Sequence, residues 1–239
     1  MIFFLVPAYN EDTNISRMVK ETFSLMMELG LDHRIIIVDD GSEDKTLEIL
    51  AALKSEKIHV ISYKPNKGVR TAFLKGFSYF LAQGSPGDIL VTKEADNTSD
   101  NKVLSDMLGQ LNCGYDVSLA SCYAKGGGIE GTTYFRMLMS KSANIIIKLR
   151  FRMWKYSTFS SFYRAYSYQC IKNVFEKDPD MMKIDGFTCV VEALIKLHKM
   201  GFRIGEIPMT LRSKERIGKS KMPILKTIKG YLYLCAKGV

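Results

Sequence analysis

The chain has 239 residues, and 46% of them are hydrophobic, which is enough for one α/β domain with a full core. Lys and Arg outnumber Asp and Glu by 34 to 25, and the net charge of +9 predicts an anionic partner: a nucleic acid, an anionic membrane or a phosphorylated substrate. The five cysteines are scattered and form no CxxC pair, which argues against a disulfide framework or a zinc site and favours a reducing compartment.

Apolar runs alternate with helical periodicity over residues 1–122. The predicted strands, in chain order, cover residues 2–6, 34–38, 57–62, 89–92 and 117–120. Helices with an apolar face are predicted after the first four of them, at 15–29, 43–54, 72–80 and 101–111. This alternation predicts an α/β fold with a doubly wound, mostly parallel twisted sheet flanked by helices.

The chain changes character after residue 122. Residues 124–136 are rich in glycine, and residues 141–169 are basic and aromatic. A helix over 185–200 and a strand over 203–208 are expected before a basic C-terminal tail. The first residues lead directly into a predicted core strand, and no apolar run approaches about 18 residues. We therefore expect neither a signal peptide nor a transmembrane helix.

Polar and acidic side chains follow the first two strands. Pro7, Tyr9 and Glu11 lie after the first strand, and Asp39 and Asp40 end the second. Ligands of open α/β sheets bind at such strand ends. Paired acidic ends suit ribose hydroxyls, base edges and a hard metal ion better than a bare phosphate, which indicates a nucleotide whose charge is neutralised elsewhere. The structural alternative is a helix start in the first loop and, in the second, an Asx turn with an N-capping serine that explains only one aspartate.

Two further motifs follow the third and fourth strands. Residues 66–72 open a helix whose N-terminus, with Lys67 and Arg70, favours anions, although an ordinary helix start fits equally well. Glu94 and Asp96 are separated by one residue, so both carboxylates project to the same side of an extended segment. Oxygen ligands beside a diphosphate suit Mg²⁺ or Mn²⁺. An exposed acidic loop is the alternative for this pair.

The four motifs, in this order and each at a strand end, resemble the VPxYNE, DDGSxD, NxGxxxA and DxD motifs of inverting nucleotide-sugar glycosyltransferases with the GT-A fold. The second half resembles dolichyl- and polyprenyl-phosphate hexose (mannose or glucose) synthases, and the resemblance runs from about residue 2 to residue 235. The matching stretches are SRYxxGGGxxG at 121–131 with Arg136 and Ser140, an FRAY-like segment at 162–166, VExL at 191–194, GxxIxExP at 201–208, and R…R…GxSK through Arg212, Arg216, Gly218, Ser220 and Lys221.

This resemblance implies a donor site, a metal and an acceptor site. The residues expected to hold the nucleoside are Pro7, Tyr9, Glu11, Val38 and Asp40. The residues expected at the diphosphate are Glu94, Ala95 and Asp96, with Glu94 and Asp96 as ligands of Mg²⁺ or Mn²⁺. Arg136 and Lys221 are expected to hold the anionic acceptor or the departing diphosphate, and the chain offers Arg164, Arg212 and Arg216 as further cations on the acceptor side. Catalysis would depend most on Asp96, Arg136 and Lys221.

The sequence departs from the family pattern at three of these places. Glu94 replaces an aspartate and is one methylene longer. Thr98 replaces a glutamine that is a candidate metal ligand. Cys122 replaces an arginine and removes one phosphate-binding cation, for which neighbouring Lys125 is the candidate substitute. These departures bear on metal geometry and on the identity of the acceptor.

The chemistry of the acceptor separates the remaining interpretations. A phosphate is already ionised and needs cations for alignment, whereas an alcohol needs a general base, for which Asp185 is the only obvious candidate. We therefore expect inverting transfer of a hexose from a GDP- or UDP-linked donor to a polyprenyl (dolichyl or undecaprenyl) phosphate.

Two alternative functions remain open. In addition, the arginines could simply form a solvated basic face without a role in binding. Transfer to a hydroxyl of a polysaccharide, protein or small molecule is slightly favoured by Cys122. A nonenzymatic basic module that binds nucleic acid or membrane is disfavoured, because its surface would not collect the carboxylates of the first half.

Two basic stretches with apolar stripes indicate contact with a membrane surface. They are residues 141–156 and the tail at 211–239, and packing against the domain or a partner helix is the alternative. The expected organisation is a GT-A catalytic domain over 1–210, with a nucleotide-sugar half (1–122) and an acceptor half (123–210), followed by the basic amphipathic tail. We expect a cytoplasmic protein that is peripheral on the cytoplasmic face of a membrane.

Overall fold

The computed structural model describes residues 1–53, 55–218 and 222–238. The strands are β1 (Ile2–Ala8), β2 (His33–Asp39), β3 (Ile58–Ser62), β4 (Ile89–Thr92), β5 (Val117–Ser121), β6 (Gly128–Glu130), β7 (Arg164–Ser167), β8 (Ile204–Pro208) and β9 (Thr210–Arg212). The helices are α1 (Ile15–Glu28), α2 (Thr46–Ala52), α3 (Val69–Gln83), α4 (Leu104–Asn112), α5 (Tyr134–Phe151), α6 (Tyr168–Lys177), α7 (Cys189–Lys199) and α8 (Ile224–Lys237).

The central sheet has the order β3-β2-β1-β4-β7-β5-β8 across the described residues. The β1–β2, β2–β3, β1–β4 and β5–β8 pairs are parallel, whereas β7 is antiparallel to both of its neighbours. The expectation of a mostly parallel sheet is therefore confirmed. The FRAY-like segment supplies the antiparallel strand β7, which the sequence had not identified as a strand.

Alternating side chains of β1 enter two separate cores. Phe3 and Leu5 pack on one side of the sheet, with α3, α6 and α7, while Phe4 and Val6 pack on the other side with α1 and α4. A central parallel strand is covered on both faces, which explains the continuous apolar run from Ile2. The exposed fraction of these side chains is at most 1%, so each Phe contributes about 2–3 kcal/mol of burial free energy.

The expected tail is tied to the rest of the chain. Strand β9 crosses the expected boundary after residue 210 and pairs with β6. Helix α8 begins directly after Pro223, as its sequence predicts, and packs Leu234 into the larger core. Among the described helices, none combines the length and the apolar character needed to cross a bilayer.

Candidate active site

The predicted donor-side motifs lie along one edge of the sheet, at the carboxyl ends of β1, β2 and β4. Pro7 and Val38 are paired in register on β1 and β2, and Leu5 of β1 is paired with Thr92, the last residue of β4. The order β2-β1-β4 therefore brings the loops after these three strands side by side, as expected for a ligand site in an open α/β sheet.

The first two loops are joined by hydrogen bonds. The backbone N–H of Asn10 donates to Oγ of Ser42 at 2.8 Å, and Oδ1 of Asn10 accepts from the N–H of Glu43 at 2.8 Å. The N–H of Glu11 donates to Oγ1 of Thr46, also at 2.8 Å. Asn10 adopts a left-handed conformation with φ of 53°, which asparagine tolerates better than most residues. These bonds fix the loop that carries Tyr9 and Glu11.

The two adjacent aspartates have different roles. Asp39 is fully buried and accepts hydrogen bonds from the Ser42 N–H and the Ser62 hydroxyl, so it stabilises the turn. Asp40 accepts from the N–H of Lys67 through one oxygen, Oδ1, at 2.8 Å. The Asx-turn interpretation therefore accounts for Asp39. Asp40 is the carboxylate that holds the motif at residues 66–72 against the first two loops.

Glu94 and Asp96 form the acidic pair after β4, with buried Ala95 between them. The Ser99 hydroxyl donates to Oε2 of Glu94 at 2.6 Å. The Thr98 hydroxyl and N–H donate to Oδ1 of Asp96 at 2.7 and 3.1 Å. Burial, and secondarily the charge of Asp96, raises the pKa of Glu94. Two carboxylates in this environment are stabilised by a nearby cation.

A cation already contacts this pair. Nε of Arg216 donates to Oδ2 of Asp96 at 2.7 Å, and a terminal guanidinium nitrogen of Arg216 contacts the same oxygen. The chain around Arg216 is held to the first loop, since the N–H of Ile217 donates to Oδ1 of Asn14 and Nδ2 of Asn14 donates back to the Ile217 carbonyl, both at 3.0 Å. The sequence had assigned Arg216 to the acceptor side, but its observed partner is Asp96 of the acidic pair.

Lys93, which belongs to none of the predicted motifs, directly precedes the acidic pair in the chain. It is 1% exposed, and its Nζ donates to Oδ1 of Asn101 at 2.6 Å and lies 6.0 Å from the ring centroid of Tyr163. Burial lowers the pKa of Lys93 to about 8, although the nearby Glu94 carboxylate opposes that shift. A lysine that directly follows a buried strand is the signal that could have identified it.

The structure corrects the role expected for Arg164. This residue is 1% exposed, and its guanidinium donates to the backbone carbonyls of Phe159, Ser161 and Val190 at 2.8 to 2.9 Å. A buried guanidinium whose donors are engaged with carbonyls cannot meet an acceptor in solvent. Arg164 therefore stabilises the backbone around β7 and is removed from the acceptor side.

The other cations expected on the acceptor side differ in their surroundings. Arg136 is exposed in the first turn of α5, where its N–H donates to the N-capping Thr133. Arg212 pairs with Asp100 at 3.0 Å. Lys221 lies outside the described residues, so its predicted role stays a prediction.

The thiol of Cys122 cannot replace the charge of the arginine expected there. Burial raises the pKa of Cys122 to about 11, with smaller contributions from Glu206 and Glu94, so the thiol is neutral near pH 7. Lys125, the candidate substitute, is exposed.

The donor set of the acidic pair fits a hard divalent cation. Glu94 and Asp96 offer oxygen ligands, and Asp96 already accepts a cation in the form of the Arg216 guanidinium. Among the residues that the structure describes, no group of three or more His, Cys, Asp or Glu is arranged around a common point to bind a metal. Further ligands would thus come from a diphosphate and water, which is the usual arrangement for Mg²⁺.

Comparison with known proteins gives one matching family and named relatives in sequence. Residues 3–175 match the model of the family described as glycosyl transferase family 2. The polyprenol monophosphomannose synthase of Mycolicibacterium smegmatis is 27% identical over 223 residues, which cover 91% of this chain and 79% of that protein. The dolichol-phosphate mannosyltransferase of Pyrococcus furiosus is 30% identical over 232 residues, which cover 95% of this chain but 60% of that protein.

Solved structures agree on the fold. A glucosyl-3-phosphoglycerate synthase from Mycobacterium tuberculosis, crystallised with Mn²⁺, UDP and glucosyl-3-phosphoglycerate, superimposes with a TM-score of 0.67 at 18% identity, over 99% of this chain and 77% of that one. A mannosyl-3-phosphoglycerate synthase from Rubrobacter xylanophilus superimposes with a TM-score of 0.67 at 14% identity, over 100% of this chain and 75% of that one. Because the family model covers most of the sequence, the chain belongs to glycosyl transferase family 2 and is a nucleotide-sugar-dependent hexosyltransferase with the GT-A fold.

Proposed function

We propose that this enzyme transfers a hexose from a GDP- or UDP-linked donor to a polyprenyl phosphate, with inversion at the anomeric carbon. The observation that carries the acceptor assignment is helix α5. Its first turn bears Arg136, and its surface exposes apolar side chains to solvent: Tyr134, Phe135, Leu138, Ile145, Ile146 and Leu149. A cation beside an exposed apolar face suits a molecule that is both anionic and lipidic, and the two sequence relatives, which are named for polyprenol and dolichol phosphate, support the same acceptor class.

On the donor side, the strand-end loops would bind the nucleotide. The nucleoside contacts that we propose are Pro7, Tyr9, Glu11, Val38 and Asp40. Glu94, Ala95 and Asp96 would lie at the diphosphate, where the two carboxylates would hold Mg²⁺ or Mn²⁺. A structural neighbour crystallised with Mn²⁺ and UDP-glucose supports the use of a divalent cation. When bound, such a cation neutralises the negative charge that develops on the departing diphosphate.

The proposed reaction is a direct displacement. An oxygen of the lipid phosphate forms a bond to the anomeric carbon while the bond from that carbon to the diphosphate breaks, and the nucleoside diphosphate leaves with the electron pair. No proton has to be removed from the attacking oxygen, so Arg136, Arg212 and Lys221 would serve to bind and align the phosphate. The alternative base, Asp185, is exposed and lies 3.8 Å from Arg70.

Membrane contact is proposed for the joint surface of α5 and α8. Nε of Arg150 on α5 donates to the Cys235 carbonyl on α8 at 2.7 Å, which holds the two helices together. Helix α8 adds exposed Leu225, Leu232 and Tyr233 beside its lysines. Apolar side chains flanked by basic ones are typical of helices that lie in a membrane interface, here proposed to be the cytoplasmic face.

One assay tests the proposal. The protein is incubated with radiolabelled GDP-mannose, UDP-glucose, UDP-galactose or UDP-GlcNAc, with Mn²⁺ or Mg²⁺ and a short polyprenyl phosphate, and label is counted in the organic phase. Lipid-linked label that disappears on chelation of the metal and in Asp96→Asn is the expected result. Transfer to a hydroxyl acceptor without any lipid product would refute the acceptor assignment.

A further inference from the structure

Residues 212–218, here called the strap, contact the loop that carries the acidic pair and are fastened at several points. At its start, the N–H of Arg212 donates to the Thr98 carbonyl at 2.8 Å, in the same loop as the acidic pair. In its middle, Glu215 pairs with Arg17 of α1 at 3.3 Å. At its end, Ile217 exchanges two hydrogen bonds with Asn14. The strap therefore connects the acidic loop to the first loop and to α1.

The contact between Arg216 and Asp96 engages the carboxylate oxygen that a metal would need. Thr98 occupies Oδ1 of Asp96 with its hydroxyl and its N–H, and Arg216 occupies Oδ2 with two guanidinium nitrogens. The Asp96 side chain is 11% exposed and that of Arg216 is 24% exposed, so the pair is largely shielded from water. A guanidinium and a divalent cation cannot share this oxygen, because they compete for its lone pairs and repel each other.

We propose that Arg216 is a stand-in cation: it holds Asp96 in the free enzyme, and the metal-bound donor displaces it and releases the strap. This inference rests on the proposed function, since it takes the metal site to be Glu94 and Asp96. It adds that binding of the donor and release of the strap are one coupled equilibrium. Since the two cations compete for one oxygen, whatever weakens the hold of Arg216 on Asp96 must strengthen metal binding.

The consequence for the reaction is an order of events. Before the donor binds, Arg216 is neutralised by Asp96 and its charge is unavailable to a second anion. After displacement, the freed guanidinium is a new cation at the edge of the donor site, in a chain that has a neutral Cys122 where an acceptor-binding arginine is expected. The donor would thus create part of the binding site for the anionic acceptor, and the acceptor would bind second.

The decisive measurement uses Mn²⁺ alone, with free Mn²⁺ followed by its electron paramagnetic resonance signal. Arg216→Gln should bind Mn²⁺ at least tenfold more tightly than the wild type, and Arg216→Lys should fall between them. Lys214→Gln is the matched control, because it removes one charge from the same strap at an exposed residue that pairs with Glu130 instead. Its Mn²⁺ affinity should stay within about twofold of the wild type, which is within about 0.4 kcal/mol.

A second measurement needs no variant. Hydrogen exchange of the Ile217 amide reports strap closure, because this amide donates to Asn14. Saturating Mn²⁺ with UDP or GDP should speed its exchange in the wild type, while the amides of β1 stay protected. Unchanged exchange at saturation would overturn strap release.

The outcomes separate this inference from the proposed function. Equal or weaker Mn²⁺ binding by Arg216→Gln, in a protein whose wild type does bind Mn²⁺ with nucleotide, would overturn the inference alone. Absence of Mn²⁺ binding in both proteins, with and without nucleotide, would overturn the metal site of the proposed function and the inference with it.

Discussion

The two halves of the enzyme hold their charged groups in different ways. In the proposed nucleotide half, Asp40 receives a backbone hydrogen bond from Lys67, and the first two loops are tied to each other through side chains. In the proposed acceptor half, Arg136 is exposed and Arg212 is paired with Asp100. The proposed donor site is thus pre-organised by hydrogen bonds between its loops, whereas the proposed acceptor cations would have to exchange water or counter-ions for substrate. Rigid positioning favours precise metal and nucleotide chemistry, and exchangeable ion pairs favour an acceptor that binds later.

The largest effect is expected from a substitution in the acidic pair of the pre-organised donor site. Asp96→Asn removes the charge that would hold the divalent cation, and kcat/KM should fall roughly 10³-fold, or about 4 kcal/mol of transition-state stabilisation. Transfer of radiolabel at subsaturating donor measures it. Asp106→Asn, an exposed acid on α4, should retain wild-type activity. Activity of Asp96→Asn within tenfold of the wild type would show that another group carries the metal.

The next effect separates a structural arginine from a binding one. Arg164→Met leaves the carbonyls of Phe159, Ser161 and Val190 without their donor, and the free energy of unfolding should fall by about 3 kcal/mol. Urea denaturation followed by circular dichroism measures it. The matched variant Arg136→Met should unfold at the wild-type urea concentration, since that residue is exposed. Equal stability of all three proteins would contradict the structural role of Arg164.

A smaller effect tests the acceptor side directly. Arg136→Gln should raise the KM for polyprenyl phosphate roughly tenfold, equivalent to about 1.4 kcal/mol, and leave the KM for the donor unchanged. Steady-state kinetics with each substrate varied in turn gives both values. Lys141→Gln, an exposed residue farther along α5, serves as the control for loss of one charge on this helix. If the two variants behave alike, the helix contributes general attraction and Arg136 has no specific contact.

Sequence patterns predicted the first half well because each signal there is local. Buried parallel strands are continuous apolar runs, and β4 was predicted with its observed bounds. In contrast, the boundaries of α2 were predicted too wide, since the helix spans Thr46–Ala52 only. The residues on either side of α2 carry no sharp signal for the start or the end of a helix. Tertiary packing therefore decides where the helix begins and ends.

The second half was predicted less well because its decisive contacts are non-local. The sequence around Arg164 does not distinguish its environment from that of Arg136. In the structure, however, Arg164 is buried at the start of β7, whereas Arg136 is exposed on α5. The Arg216–Asp96 pair joins residues 120 positions apart. A charge run in the sequence reports composition, and only the fold determines which cation meets which carboxylate.

The smallest effect concerns the stability of the nucleotide half away from its site. His33 begins β2 at the edge of the sheet opposite to the donor loops, is 4% exposed, and packs edge-on against Phe4 and Phe23 with ring centroids 6.5 and 4.9 Å away. Burial, assisted by the charge of Lys57, lowers the pKa of His33 below its usual 6.5. The unfolded chain therefore binds a proton more readily than the folded one as the pH falls below 6.5, so the stabilising contribution of neutral His33 is present above that pH and is lost on acidification.

This loss should appear as a slope in the free energy of unfolding between pH 7.5 and 5.5, with a ceiling of about 1.4 kcal/mol per pH unit for one proton. Urea denaturation of the wild type and of His33→Phe measures it, and the aromatic replacement keeps the packing against Phe4 and Phe23 while removing the titration. The variant should show the shallower slope and bind nucleotide like the wild type at either pH. Identical slopes would show that groups other than His33 cause the loss of stability in acid.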